Sequence, residues 1–210
     1  MSTAGLPRLM LIADGFASGR KSQPAEHVQK SVVELVRAGL RFVQFRDHAA
    51  DPDVFAETAR TMVDKIRANH TGVVITINSR ADLATELGCG VHVGVRTNSS
   101  GAVVEGPSGF SAHTLEQVQT AAESGFDYAT FSPVFATQSH PSANPFGIEM
   151  LEKVCATVSE IPVYALGGIT PNTVGMCREA GAAGVAVLSD LLDAEEPVER
   201  LDMFQRVLSA

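Results

Sequence analysis

Residues 163–189, VYALGGITPNTVGMCREAGAAGVAVLS, constrain the fold more than any other part of this 210-residue chain. Val163, Tyr164, Ala165 and Leu166 form an apolar run too short for a helix, which reads as a strand buried on both faces. Gly167 and Gly168 follow, a turn in which no Cβ keeps backbone N–H groups from a ligand. Thr170 and Pro171 stand in the preferred order for an N-cap and first helical residue, and Gly181 is placed to end that helix. Val185 to Leu188 makes the next strand, with Ser189 at its carboxyl end. Two consecutive parallel strands that end in glycine and serine predict a phosphate cradle.

The upstream chain repeats the same strand-then-helix unit. Strands are expected at Leu9–Ala13, Phe42–Phe45, Val73–Ile77, Val91–Val93, Gly109–Ser111 and Tyr128–Phe131. Helical spacing marks Pro24–Ala38, with Val28, Val32, Leu35 and Val36 inward, and the stretch from Asp51-Pro52 to Ala68, with Phe55, Ala59, Met62, Val63 and Ile66 inward. Shorter helices are expected at Ala81–Leu87, Thr114–Ser124, with Leu115, Val118 and Ala122 on one face, and Gly147–Val158, and a last one from Glu196-Pro197 to Ser209. Arg96–Pro107 reads as a loop or weak helix, and Ser132–Phe146 as a long loop. Eight strands alternating with helices at about 25 residues per unit predict a single-domain (β/α)8 TIM barrel with parallel strands, an α/β fold, over residues 1–210. A doubly wound sheet is the alternative. Its G-x-G-x-x-G turn reads DGFASG after the first strand here, which favours the barrel.

Hydrophobic residues make up 45% of the chain, enough for a sizeable core. A net charge of −8 with no basic block argues against nucleic acid and anionic membranes as partners, and no apolar run is long enough to span a bilayer. The amino-terminal stretch lacks the pattern of a signal peptide, and Cys89, Cys155 and Cys177 fit reduced thiols, so a cytoplasmic location is expected. No Cys/His spacing suggests a metal site.

Barrel active sites lie at the carboxyl ends of the strands. Sorting polar residues by that rule selects Gln44, Arg46 and His48; Asn78 and Ser79; Ser111 and His113; Thr137, Ser139 and His140; and Gly167, Gly168 and Ser189. Gln44 and Arg46 are two apart and share a face. An inward arginine needs an anionic partner, which a substrate would supply and which Asp14 or Asp47 could supply instead. His92 reads as a hydrogen-bonded core histidine, His113 as a residue that orients the adjacent helix cap, and Met150, Met176 and Met203 as core filler.

Several motifs carry a family resemblance: VQFRD at 43–47, GVHVG at 90–94, GFSAHT at 109–114, YATFSPVFATQSHP at 128–141, YALGGITPN at 164–172 and GAAGVAVLS at 181–189. Over nearly the whole chain, and in order, they resemble the thiamine-phosphate synthase/TenI family. The resemblance implies a barrel that binds a thiazole phosphate beside a pyrimidine pyrophosphate. In the synthase the pyrophosphate leaves and the thiazole nitrogen captures the pyrimidine methylene, with Mg2+, Arg and Lys neutralising the leaving group. By motif position, Gly167, Gly168, Ser189, Thr137 and Ser139 would hold the thiazole end, and Gln44, Arg46, Asn78 and Ser111 the pyrophosphate.

The departures fall on the pyrophosphate side. The family's R-E-K reads Arg46-Asp47-His48, its N-D reads Asn78-Ser79, its G-Q-E-D reads Gly94-Val95-Arg96-Thr97, and the lysine of its strand-six loop is His140. Ser79 and Thr97 carry no charge to replace the Mg2+ carboxylates. The TenI branch offers a use for what remains, the isomerisation of a carboxylated thiazole phosphate, a proton relocation that needs acid/base groups but no Mg2+. TenI's catalytic histidine replaces the proline of F-x-P, whereas this chain keeps Pro133. The expected catalytic set is therefore Arg46, His48 and His140, with no resident metal, and tautomerisation is ranked slightly above synthase chemistry through a rearranged Mg2+ site. Asp14, Asp47 and Asp82 are the carboxylates available to such a site. Non-catalytic thiazole-phosphate binding is the third reading, and the sequence is compatible with a homo-oligomer.

Overall fold

The structure, a computed structural model, describes residues 5–21, 23–95, 104–137 and 144–209. Its strands are β1 Leu9–Asp14, β2 Phe42–Arg46, β3 Val74–Asn78, β4 Gly90–Gly94, β5 Ser108–Ala112, β6 Tyr128–Phe131, β7 Val163–Leu166 and β8 Gly184–Val187. Helices α1 Ala25–Arg37, α2 Pro52–Arg67, α3 Ala81–Glu86, α4 Leu115–Glu123, α5 Ile148–Thr157, α6 Pro171–Glu179, α7 Ser189–Leu192 and α8 Pro197–Ser209 surround them. Each strand pairs in parallel with the next, and β8 pairs with β1 through Leu9↔Val185, which closes the barrel. The (β/α)8 expectation holds, with strand ends moved by a residue or two.

Helix α2 shows why the outer layer forms. Asp51 caps it by accepting from the Asp53 and Val54 N–H groups, Pro52 opens it, and Phe55, Ala59, Met62, Val63 and Ile66 are buried, as their spacing predicts. In α4, capped by Thr114, Val118 and Ala121 are the buried residues, and Leu115 and Ala122 are partly buried beside them. Met150, Met176 and Met203 are not core filler, being 36, 47 and 45% exposed. Each lies beside a residue that takes the inward position: Leu151, Cys177 and Phe204. Helix α7 is an addition to the expected pattern. Ser189 opens this short turn, whose Leu191 and Leu192 are buried, instead of closing the strand.

Inside the barrel, alternation along β2 turns Phe42, Gln44 and Arg46 to one face, and Gln44 and Arg46 line the open end. Phe42 meets Tyr128 and Tyr164 edge-on, at centroid distances of 5.4 and 6.0 Å, and the two tyrosines lie 5.6 Å apart. Tyr164 donates to the Pro7 carbonyl at 2.9 Å, anchoring this aromatic plug at the amino-terminal side. Glycine makes room for the rings. A Cβ on Gly109 would fall 2.1 Å from Tyr128 Cζ and 2.5 Å from His92 Nδ1, and one on Gly184 would fall 2.5 Å from Tyr164 Cε1.

Gly109→Ala is expected to cost roughly 2–4 kcal/mol in urea unfolding, because neither buried ring can yield. Gly175→Ala, in an open stretch of α6, is expected to gain about 0.5–1 kcal/mol from helix propensity. Equal effects at the two positions would show that the plug repacks freely.

Candidate functional site

A cavity of about 1440 Å³ opens at the carboxyl ends of the strands. Gln44, Arg46, His48, Asn78, Ser111, Thr137, Gly167, Gly168 and Ser189 all border it, supplied by β2, β3, β5 and the segments after β2, β6, β7 and β8. Ser139 and His140 lie outside the described residues.

Gly167 and Gly168 have positive φ, +97° and +64°. The space a side chain would need is taken by protein and not left for a ligand. A Cβ on Gly167 would meet Pro133 Cα at 2.8 Å, and one on Gly168 the Ala136 carbonyl oxygen at 2.4 Å. The segment after β6 is stitched onto this turn, Val134 N–H donating to Leu166 O and Phe135 N–H to Gly167 O at 2.9 and 3.0 Å. The glycines therefore serve first to seat that segment. Among the described residues their own N–H groups take no backbone acceptor, and both glycines border the cavity.

Arg46 closes β2, and its Nε donates to Asp14 Oδ1 at 2.9 Å. The carboxylate reading of its partner is the realised one. Asp47 is buried and tied elsewhere, accepting from the N–H groups of Ala17, Ser18, Ala49 and Ala50 and from the Ser18 hydroxyl, all within 3.1 Å. Burial alone would push its carboxyl up, but the Ser18 and Ala17 donors outweigh it and hold Asp47 below the ordinary carboxylate range. One carboxylate thus joins the segments after β1 and β2. His48, next in sequence, is exposed at the cavity edge.

The residues present do not fit a protein-held Mg2+. Ser79 stands where the family resemblance calls for a carboxylate, and Thr97 lies outside the described residues. Asp14 and Asp47 are engaged as above, and Asp82 lies outside the cavity lining. Among the described residues no three His, Cys, Asp or Glu side chains gather in a metal-binding group. The cavity lining beyond Ser189, in α7, α8 and the link between them, carries five more carboxylates, Asp190, Asp193, Glu195, Glu196 and Glu199, with Arg200 bound to Asp190 through two 2.7 Å bonds.

His92 is the buried, hydrogen-bonded histidine its strand position predicts. Nδ1 lies 2.9 Å from the Tyr128 hydroxyl and Nε2 2.8 Å from Ser111 Oγ, so the plug beneath orients a cavity-lining serine. Burial, reinforced by the Arg46 charge, pushes His92 down to about 3, and it stays neutral. His113 joins the α4 cap through its backbone, its N–H donating to Gln117 Oε1 at 2.6 Å, while its ring turns away and Nδ1 donates to the Ser132 carbonyl at 2.7 Å. Two buried polar atoms at the cavity wall, Gln44 Nε2 and Thr130 Oγ1, have no hydrogen-bond partner among the described residues. Thr130 escapes sequence reasoning because it sits within β6, one position short of the strand end. Its inward register opposite Ser111 is the signal that could have found it.

A closed parallel barrel with a cavity at the carboxyl ends of its strands, floored by polar atoms, belongs to the enzyme-bearing class of (β/α)8 barrels. The family profile described as thiamine monophosphate synthase matches residues 15–191, and the chain belongs to that family. A thiamine-phosphate synthase of Koribacter versatilis (strain Ellin345) is 36% identical over 97% of this chain and 96% of its own length. A putative thiamine-phosphate synthase 2 of Aquifex aeolicus (strain VF5) is 35% identical over 90% and 99%. Among solved structures, a thiamine phosphate pyrophosphorylase from Pyrococcus furiosus superposes with a TM-score of 0.81 at 25% identity, covering 96% of this chain and 95% of that one.

Because Asp47 is held below its ordinary range, the stability it confers is present above that range and lost as pH falls through its folded value. Asp47→Asn is expected to cost about 2–3 kcal/mol at pH 7, since the amide cannot accept all the N–H groups. Unfolding of the two proteins followed from pH 7 to pH 2 should show the difference shrinking as acid is added.

Proposed function

We propose that this barrel isomerises a thiazole phosphate by moving a proton, without a metal ion. The observation that carries the reading is the charge of the cavity. Its two described arginines, Arg46 and Arg200, are both already bound to carboxylates, and five carboxylates line the cavity along α7, α8 and the link between them. A pyrophosphate, multiply charged and leaving with more charge still, needs cations at that place. A monophosphate asks for less. The backbone N–H groups of Gly167 and Gly168, with Ser189 beside them, suit its oxygens, and Thr137 lies on the same side. The floor, with the unpartnered Gln44 Nε2 and Thr130 Oγ1 and the oriented Ser111 hydroxyl, suits a polar ring substituent such as a carboxylate.

In this reaction the proton leaves the carboxylate-bearing ring carbon while its C–H electron pair becomes a ring π bond. A proton is returned to the exocyclic carbon, whose C=C pair forms the new C–H bond. Nothing is oxidised, and no co-reactant is consumed. The chain's residues have three tasks: to hold the phosphate, to keep the ring still, and to carry one proton between two carbons.

The second reading, thiamine-phosphate synthase, is favoured by the names of relatives aligned over nearly the full chain. Calorimetry separates the two. Thiazole phosphate is expected to bind with the same Kd in EDTA and in Mg2+, and pyrimidine pyrophosphate to show no Mg2+-dependent binding. Mg2+-dependent binding of both ligands would overturn the isomerase reading in favour of the synthase. The charge argument has its own check. Asp14→Asn releases Arg46 and is expected to raise the affinity for inorganic pyrophosphate about 5- to 10-fold, the effect of one partly screened charge.

A further inference from the structure

We propose that His113 is the catalytic residue that moves the proton; this rests on the isomerase reading above. His113 follows β5 and borders the cavity. A carbonyl oxygen can only accept a hydrogen bond, so the 2.7 Å contact with Ser132 O puts the hydrogen on Nδ1. In the neutral ring Nε2 then carries the lone pair, and no described residue takes a hydrogen bond from it or gives one to it. This is the arrangement of a general base: one nitrogen fixed by the protein and the other left for the substrate.

Both ends of the residue are pinned. The His113 N–H donates to Gln117 Oε1 at 2.6 Å, and the Gln117 N–H donates in turn to Thr114 Oγ1 at 3.2 Å, so the start of α4 holds the backbone while Ser132 holds the ring. The position suits the reaction. Ser132 leads into the 133–136 segment that is seated on the Gly167–Gly168 turn, so the imidazole is tied to the wall where the phosphate is expected. The other described histidines at the cavity differ. His92 has both ring nitrogens engaged and is buried neutral, whereas no hydrogen bond to a described residue orients His48. In the reaction His113 Nε2 takes the proton from the ring carbon as that C–H pair enters the ring, and the resulting imidazolium returns it to the exocyclic carbon. His113 ends as it began.

A structural tether would leave the same contact, and one substitution tells the roles apart. In His113→Asn the amide N–H replaces Nδ1–H toward Ser132, while nothing replaces Nε2. With the carboxylated thiazole phosphate isomer as substrate and proton NMR as the assay, kcat is expected to fall about 10²- to 10⁴-fold. The Kd for thiazole phosphate should stay within threefold, and the unfolding temperature within about 2 °C. A variant that keeps kcat within fivefold overturns the assignment and leaves His113 a tether. If His113→Asn fails to fold, His113→Gly with added imidazole decides: rescue by at least tenfold supports the role, and no rescue overturns it. Wild-type protein that binds thiazole phosphate but never turns the isomer over overturns the isomerase reading itself, a result distinct from failure at His113 alone.

Discussion

Everything above the barrel floor depends on the aromatic plug of Phe42, Tyr128 and Tyr164. Eight parallel strands of four to six residues enclose a space that must be filled at one end if it is to be open at the other. Three large rings in edge-to-face contact do this, and they fit because Gly109 and Gly184 have no side chain in their way. The plug is polar where it meets the cavity. The Tyr128 hydroxyl reaches His92, and His92 reaches Ser111, so the orientation of a cavity-lining hydroxyl is set by packing far below it.

The mouth is built on a second constraint, the pairing of charge within the protein. Asp47 takes donors from two segments, Asp14 takes Arg46, and Asp190 takes Arg200. Each pairing stabilises a wall and withdraws a charge from the cavity. What remains is an enclosure with backbone N–H groups at the Gly167–Gly168 turn, neutral polar atoms on its floor that have no partner among the described residues, and carboxylates along α7 and α8 next to Ser189. It is on this distribution of charge that the proposed isomerase reading rests.

The barrel was legible in the sequence because most strands are short, largely apolar runs followed by a polar or glycine-rich end, β5 (SGFSA) being the exception, and the long helices carry a regular inward stripe. The cavity residues were legible for the same reason: in a parallel barrel, the position after a strand is a position at the mouth. Side-chain pairing was less so. That Arg46 chooses Asp14 and not Asp47 follows from strand register, β1 lying beside β2 with Asp14 opposite Arg46. The sulfur-bearing Met150, Met176 and Met203 misled because an apolar side chain in a helix suggests burial, yet the inward stripe passes through their neighbours. Thr130 escapes the strand-end rule because it sits within β6 and not after it, although alternation places it on the inward face with Tyr128, opposite Ser111.

The seating of residues 133–136 against Gly167 and Gly168 has a consequence for how such a protein can change. Two parts that fill each other's missing volume cannot be exchanged singly. A transplanted strand-six segment with bulkier backbone neighbours, or a β7 turn with a side chain, would each arrive without its counterpart. The pair is thus one heritable module, and diversification of this mouth is channelled to the walls that pack through side chains alone, the acidic one beside α7 and α8 foremost among them.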